Sequence, residues 1–314
     1  MQKPLFELAF HFAGVVVLLI GIVVGSGAQQ VNPSSNETDQ LIFNIVVYDR
    51  VGAPVMGLNV GDFSLLIDNK PAKIDFFSGR DAPESICLLV DTAGSMRHSD
   101  SWEAAVGQLS RFVVLSNRAS QFLLITFSDT PRLVTEWTSD RNILATAIAS
   151  VEHGERKGTT NLVDACVLAI NKAAQAKSQK KFILLIADGA NGGSKTPRNQ
   201  FRRLLEDSSV PVFCVALTDP THDLNAGWDR VFLEDITIQT GGVIFFPGSR
   251  KEIAHVVEQS ALLMRHGYQI GLNRASLPKD GKHHKLTVKV SAVNSTKKSE
   301  SYFVHAPEGF RANN

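Results

Sequence analysis

Cysteine is scarce in this 314-residue chain: Cys87, Cys166 and Cys214 are all it has, and their intervals lack metal-binding spacing. An odd number excludes a fully paired disulfide framework. Each of the three lies in an apolar strand or helix pattern, where a thiol behaves as a small buried hydrophobe. Excess charge of one sign is also missing. Lys and Arg number 32 against 31 Asp and Glu, for a net charge of +1, so the chain carries neither the basic footprint of a nucleic-acid binder nor a polybasic membrane surface. The G-x-S-x-G elbow of a serine hydrolase is lacking at Gly94-Ser95-Met96-Arg97, and no third group is indicated beside His98. His283-His284 sits in a lysine-rich turn and reads as solvated polarity rather than a transition-metal site.

What is present begins with a leader pattern. Lys3 precedes an apolar stretch from Phe12 to Val24 and then Gly25-Ser-Gly-Ala28, the layout of a secretory signal peptide with Ser26-x-Ala28 as its cleavage signal. Leu5 to Val24 also nearly reach the ~20 residues of a membrane span, an uncleaved anchor interrupted by Glu7 and His11. Under either reading the bulk of the protein is expected outside the cytoplasm: periplasmic, secreted or on the cell surface. Membrane contact is expected only through this segment. Residues 29–40 are polar and read as a linker, and the sequons at Asn36 and Asn294 mark exposed turns.

The centre of the chain is Ile86-Cys-Leu-Leu-Val-Asp-Thr-Ala-Gly-Ser-Met96. An unbroken apolar run ending in an aspartate is how a buried parallel strand delivers a carboxylate to the rim of an α/β sheet. Phe182-Ile-Leu-Leu-Ile-Ala-Asp-Gly189 repeats the pattern, and Lys157-Gly-Thr-Thr-Asn161 opens a helical one. Together they would converge Asp91, Asp188 and several hydroxyls on one all-oxygen pocket suited to a hard cation such as Mg²⁺. The alternative for each aspartate is a turn cap accepting backbone N–H groups, and for Thr160 a helix N-cap. Thr159 leaves that register open by one residue.

Between Ser85 and Arg265, strand-length apolar runs at 86–91, 122–127, 182–188, 210–217 and 243–246 alternate with helical spacings. The helical faces begin at Trp102, Leu162 and Ile253, and Leu133 to Trp137 reads as an edge strand after Pro131. Such alternation predicts a doubly wound, Rossmann-like, mostly parallel sheet covered on both faces, with ligands at the carboxyl ends of its strands. Short β-rich runs at 41–48, 63–68 and 74–77 are too few to close a sheet alone. Runs at 268–272, 285–292 and 301–305 are expected to complete it, as a sandwich-like module built from both ends of the chain.

The site pattern resembles the metal-ion-dependent adhesion site of the von Willebrand factor type A domain: Asp-x-Ser-x-Ser, then Thr, then Asp followed by Gly. Asp91 and Ser95 fill the ends of the first element, Thr160 matches the second, and Asp188-Gly189 the third. The middle place is Ala93, so one family hydroxyl is absent. The resemblance covers roughly 85–265. Val46 to Val55, Gly61-Asp-Phe63, Asp68-Asn-Lys70, Tyr268-Gln-Ile-Gly271 and Gly281-Lys-His-His-Lys285 further resemble VWFA-related proteins described from Acidobacteria. It implies a type A fold over 85–266, flanked by β-rich segments 41–84 and 267–314. It also implies a non-enzymatic adhesion or protein-binding role, with Mg²⁺ held by Asp91, Ser95, Thr160 and Asp188 and weakened by Ala93, and an acidic partner side chain completing the coordination.

Two other functions fit the residues. The same loop surface, with Arg97, His98 and 191–195, could bind a protein without metal. Gly189-Ala-Asn-Gly-Gly-Ser-Lys-Thr196 differs from the phosphate-cradling loop G-x-x-x-x-G-K-[ST] only at Ser194, which would suit a nucleotide-binding enzyme relying on Lys195.

Overall fold

The computed structural model describes residues 40–98, 100–151, 160–217, 226–291 and 302–312. The N-terminal apolar segment, the linker to residue 39, Lys157 to Thr159 and both sequons lie outside them. The described residues begin with β1 (Gln40–Tyr48), β2 (Phe63–Ile67), β3 (Lys70–Ala72) and β4 (Phe76–Ser78). The middle section runs β5 (Glu84–Asp91), α1 (Asp100–Leu115), β6 (Gln121–Phe127), β7 (Pro131–Thr138), α2 (Arg141–Ala149), α3 (Leu162–Ala174) and β8 (Lys180–Ala187). It continues through α4 (Arg198–Asp207), β9 (Val212–Ala216), α5 (Ala226–Thr240), β10 (Ile244–Phe245) and α6 (Arg250–Arg265). The last strands are β11 (Tyr268–Asn273), β12 (His283–Val290), β13 (Phe303–His305) and β14 (Gly309–Arg311).

The middle section forms a six-stranded sheet in the order β10-β9-β8-β5-β6-β7. All its pairs are parallel except β6 with β7, the antiparallel edge that Pro131 begins. Side chains alternate across a strand, and here both faces are apolar. Ile86, Leu88 and Val90 of β5 pack under α1, α2 and α6 with Trp102, Leu109, Leu144 and Val257. Cys87 and Leu89 point the other way, into a layer with Leu162, Ala169, Phe201 and Ile236 from α3, α4 and α5. The sheet is therefore doubly wound, and β5 sits near its centre with no exposed residue.

The two ends of the chain build a β-sandwich. One sheet has the order β13-β1-β11-β4, the other β14-β12-β2-β3, so each mixes strands from before and after the α/β section. Phe43, Ile45 and Val47 alternate inward from β1 toward Leu65, Leu286 and Phe310 of the facing sheet. Ring centroids of Phe43 and Phe310 lie 5.8 Å apart, and those of Phe63 and Tyr268 5.2 Å apart. Tyr268 also spends its hydroxyl on the N-terminal segment, donating to the Val55 carbonyl at 2.7 Å and accepting the Leu58 N–H at 3.1 Å.

The chain crosses between sandwich and α/β section beside a buried polar seam. The Lys180 ammonium, 1% exposed, donates to the carbonyls of Arg80 and Arg265 at 2.9 Å each, while the Arg265 guanidinium pairs with Asp81 at 2.5 Å. Glu84, also buried, bonds Ser120. Burial pushes the Glu84 carboxyl up and the Lys180 ammonium down from their ordinary values.

Several local features depart from expectation. The β-rich run expected at 63–68 ends one residue earlier, at Ile67: Asp68 and Asn69, with φ values of +49° and +65°, form a two-residue hairpin turn, and Lys70 already belongs to β3. β3 contains Pro71 and is an edge strand, where a missing N–H costs nothing. α5 lacks a clear helical repeat in sequence and is held by burial of Leu233 and Ile236. His283 is exposed as expected, but His284 is buried between two carboxylates, Asp68 at 2.7 Å and Asp280 at 3.0 Å. Carboxylates facing both ring nitrogens favour the protonated ring, and those two bonds raise its pKa from the ordinary imidazole value.

The cysteines are free and buried. Burial pushes Cys166 up to about 12 and raises Cys87 and Cys214 far above the ordinary thiol value. Iodoacetamide should therefore label none of them in the native state and all three in guanidinium. Native labelling of any one would show that its layer opens.

A raised imidazole pKa contributes stability below about pH 6.5 that is lost as pH rises through the folded value. Urea midpoints of the parent should fall across that window, while those of His284→Gln should not. Parallel pH profiles would show that the His284 staple contributes nothing.

Candidate functional site

The site begins where β5 stops. Asp91 is the last residue of the strand and is 0% exposed. Its Oδ1 accepts the Ala93 N–H at 2.8 Å, a local turn typical of aspartate, and its carbonyl accepts the Trp102 indole N–H at 2.5 Å. Its Oδ2 is buried with no hydrogen-bond partner among the described residues. Thr92 fastens the same turn to β6, giving both its N–H and its hydroxyl to the Phe127 carbonyl at 2.8 and 3.0 Å.

After this turn the loop is pinned by apolar anchors. Ala93 and Met96 are buried, and the Met96 N–H closes a turn onto the Ala93 carbonyl at 3.0 Å. Ser95 lies between them in a single helical turn at Gly94–His98, exposed at the rim.

Asp188 follows β8, the strand paired in parallel with β5 through Val90 and Ile186. It is half-buried, and its Oδ1 caps a turn by accepting the Ala190 N–H at 2.9 Å. Gly189 has φ +97°, and a Cβ there would come within 2.7 Å of the Asp229 carbonyl oxygen in α5, so this turn requires glycine. Burial, and then the neighbouring Asp188 carboxylate, raise the Asp91 carboxyl well above the usual range.

Thr160 is buried just before α3. Its carbonyl accepts the N–H groups of Gly192 and Gly193 at 3.0 and 3.2 Å, which joins it to the loop after Asp188. The Asn161 N–H donates to the Ser128 carbonyl at 2.7 Å, joining the same segment to the end of β6. Asp91, Thr160 and Asp188 thus stand on one rim at the carboxyl ends of β5, β6 and β8, with Ser95 on the loop above. Among the described residues no three His, Cys, Asp or Glu side chains gather, so any cation here must be held by two carboxylates with hydroxyl, amide or water oxygens. A buried carboxylate oxygen without a donor, beside a second carboxylate, fits a cation.

The phosphate-loop look-alike is folded around the chain's own oxygens. Asp164, in the first turn of α3, accepts the Lys195 N–H at 2.8 Å, the Thr196 N–H at 2.9 Å and the Thr196 hydroxyl at 2.6 Å. Burial alone would raise the Asp164 carboxyl, but these donors outweigh it and hold it below its ordinary value. Ala190, Gly192 and Gly193 also give their N–H groups to protein oxygens. Ser194, the residue standing where a phosphate loop has glycine, accepts the N–H groups of Val163 and Asp164 at 3.1 and 3.3 Å and so caps α3. Asn191 adds a bond to Val163 at 3.2 Å. The bonds to Asp164 and from Ser194 carry no local sequence signal, because their partners lie about thirty positions away.

A von Willebrand factor type A family model matches residues 86–191. No curated protein matches the chain in sequence. Among solved structures, a von Willebrand factor type A protein from Catenulispora acidiphila is 11% identical and aligns over 89% of this chain and 75% of its own, with a TM-score of 0.50. That share takes in flanking strands as well as the α/β section. The conserved hypothetical protein BatB from Bacteroides thetaiotaomicron is 17% identical over 57% of this chain and 97% of its own, TM-score 0.43. Proximal thread matrix protein 1 from the mussel byssus, with a zinc-occupied metal-ion-dependent adhesion motif, is 16% identical over 63% of this chain and 49% of its own, TM-score 0.48. At these identities the likeness is one of fold.

An acid whose folded pKa is raised has the opposite linkage to a paired carboxylate. The unfolded chain ionises first, so stability falls as pH rises from about 3.9 toward the folded value. In chelator, Asp91→Asn should therefore be more stable than the parent at neutral pH, on the order of 2 kcal/mol, and the gap should close near pH 4. A gap independent of pH would show that Asp91 is not held protonated by its surroundings.

Proposed function

From the premise that residues 86–191 lie in a von Willebrand factor type A domain, we propose that the protein is an exported, non-enzymatic binding module that recognises a protein partner through the Asp91 rim. Type A domains in general mediate protein–protein interaction. The domain would span 85–266, with 41–84 and 267–314 as the flanking β module. Export rests on the leader pattern of residues 1–28.

The observation that carries the reading is the buried, unpartnered Oδ2 of Asp91 beside Asp188. An isolated buried carboxylate costs several kcal/mol unless it is protonated or compensated. Mg²⁺ would be held by Asp91, Ser95, Thr160 and Asp188. Bound there, it would offer an open coordination position to a carboxylate from an acidic partner. Ala93 supplies only its N–H to the turn, so water would replace the missing hydroxyl and affinity would be low.

A second reading is favoured by the same raised acid: a neutral Asp91 needs no cation, and the rim would then bind protein without metal. The nucleotide reading requires loop N–H groups that Asp164 and Thr160 already occupy.

Calorimetric titration of the metal-stripped protein with Mg²⁺ and Mn²⁺ separates these. Asp91→Ala should abolish binding, and Ala93→Ser should tighten it roughly tenfold. No binding to the parent at millimolar metal, with binding restored by Ala93→Ser, would select the metal-free module. Nucleotide binding lost on Lys195→Ala would select the enzyme.

A further inference from the structure

The rim holds a second orphan. Asn161 occupies the N-cap position of α3, where asparagine ordinarily turns its side-chain oxygen onto the N–H groups of the first helical turn. Here it does not: the Asn161 side chain makes no cap hydrogen bond. The work of capping has passed to another loop. Asn191 Oδ1 and Ser194 Oγ take the Val163 N–H, and Ser194 Oγ takes the Asp164 N–H.

The side chain released in this way is neither exposed nor idle. Asn161 is 6% exposed. Its Nδ2 donates to the Asp129 carbonyl, in the turn after β6, which fixes the orientation of the amide and decides which end is oxygen. Its Oδ1 is then buried with no partner among the described residues. Among the described residues four buried side-chain oxygens are orphaned in this way: Glu84 Oε1, Asp91 Oδ2, Asn161 Oδ1 and Gln239 Oε1. Glu84 begins β5, at the amino end of the strand and so away from the rim, and Gln239 lies near the end of α5. The other two belong to the rim, one on Asp91 and one on the residue that follows Thr160.

A buried amide oxygen without a donor has given up its bond to water for nothing, a loss that a ligand can recover. An amide carbonyl is also a hard, neutral oxygen of the kind that alkaline-earth cations take alongside carboxylates. The chain lacks a hydroxyl oxygen at Ala93, and two residues of the same rim present oxygens with nothing to accept. We infer that the Asn161 carboxamide oxygen serves the Mg²⁺ site, as a direct ligand or through a metal-bound water, and offsets the loss at Ala93. The inference rests on the metal reading of the rim and adds a residue to it. Asn191 and Ser194 are the positioning residues that leave Asn161 free for this task.

The test is a double-mutant cycle in the full chain, with Mg²⁺ affinity read by calorimetry and Mn²⁺-bound waters counted by electron–nuclear double resonance. Asn161→Ala should weaken Mg²⁺ binding roughly tenfold in the parent and much less in an Ala93→Ser background, because the restored hydroxyl takes over. Asn161→Asp keeps the oxygen and adds charge, so it should bind Mg²⁺ at least as tightly as the parent. Thermal melts in chelator control for folding. If Asn161 only ties down the turn at Asp129, Asn161→Ala lowers the melting temperature in chelator and leaves Mg²⁺ affinity and the water count unchanged, which overturns the inference. Asp91→Ala distinguishes the two levels. Loss of binding there with no effect of Asn161→Ala removes this inference alone, while metal binding that is absent from the parent or indifferent to Asp91→Ala removes both.

Discussion

The structure depends on one unfavourable arrangement: a carboxylate placed at the end of a strand that has no exposed residue. β5 is central because its two faces are covered by different helices, and that burial extends to Asp91. The surroundings relieve only half of the charge. One oxygen takes the Ala93 N–H, and the other has nothing. The nearby groups fasten the turn that carries it. Trp102 binds the Asp91 carbonyl, Thr92 binds β6, and Met96 anchors the loop that carries Ser95. Low dielectric and a like charge at Asp188 then make the rim a place where a proton or a cation must reside.

The loop after Asp188 shows how the sequence pattern of one chemistry can serve another. Its N–H groups are arranged around Asp164 and Thr160, so the anion it cradles belongs to the protein. Ser194 explains the departure from the phosphate pattern. A glycine there would leave the first N–H groups of α3 without the hydroxyl that now accepts them.

The fold was legible because it is written in periodicity. Continuous apolar runs in β5 and β8 announce strands covered on both faces, and the spacing at Leu162, Ala165, Cys166 and Ala169 announces the helix that covers one of them. Alternation in β1 likewise announces one buried face, whose partners lie at the other end of the chain. Less legible were β3 and β14, which are three residues each, and α5, whose β-branched residues are helical only because Leu233 and Ile236 are buried. At the rim, Asp91 and Asp188 could be read from the strands they end. The roles of Asn161 and Asp164 could not, since each depends on a hydrogen bond across about thirty residues. His284 escaped for the same reason: its burial follows from Asp68, 216 positions away.

The hydrogen bond from Tyr268 to Val55 spans 213 residues, and the pairing of β1 with β11 closes a comparable loop. Closing so long an unstructured chain is slow, but a folded α/β section between the two ends shortens the gap to the few residues that connect it. The sandwich therefore has to wait. Strands β1 and β2 leave the ribosome long before the strands that complete their sheets, and until then their edges are open to any passing strand. A variant that slows folding around β5 would leave the edges of β1 and β2 unpaired for longer, and these N-terminal strands are where aggregation would begin.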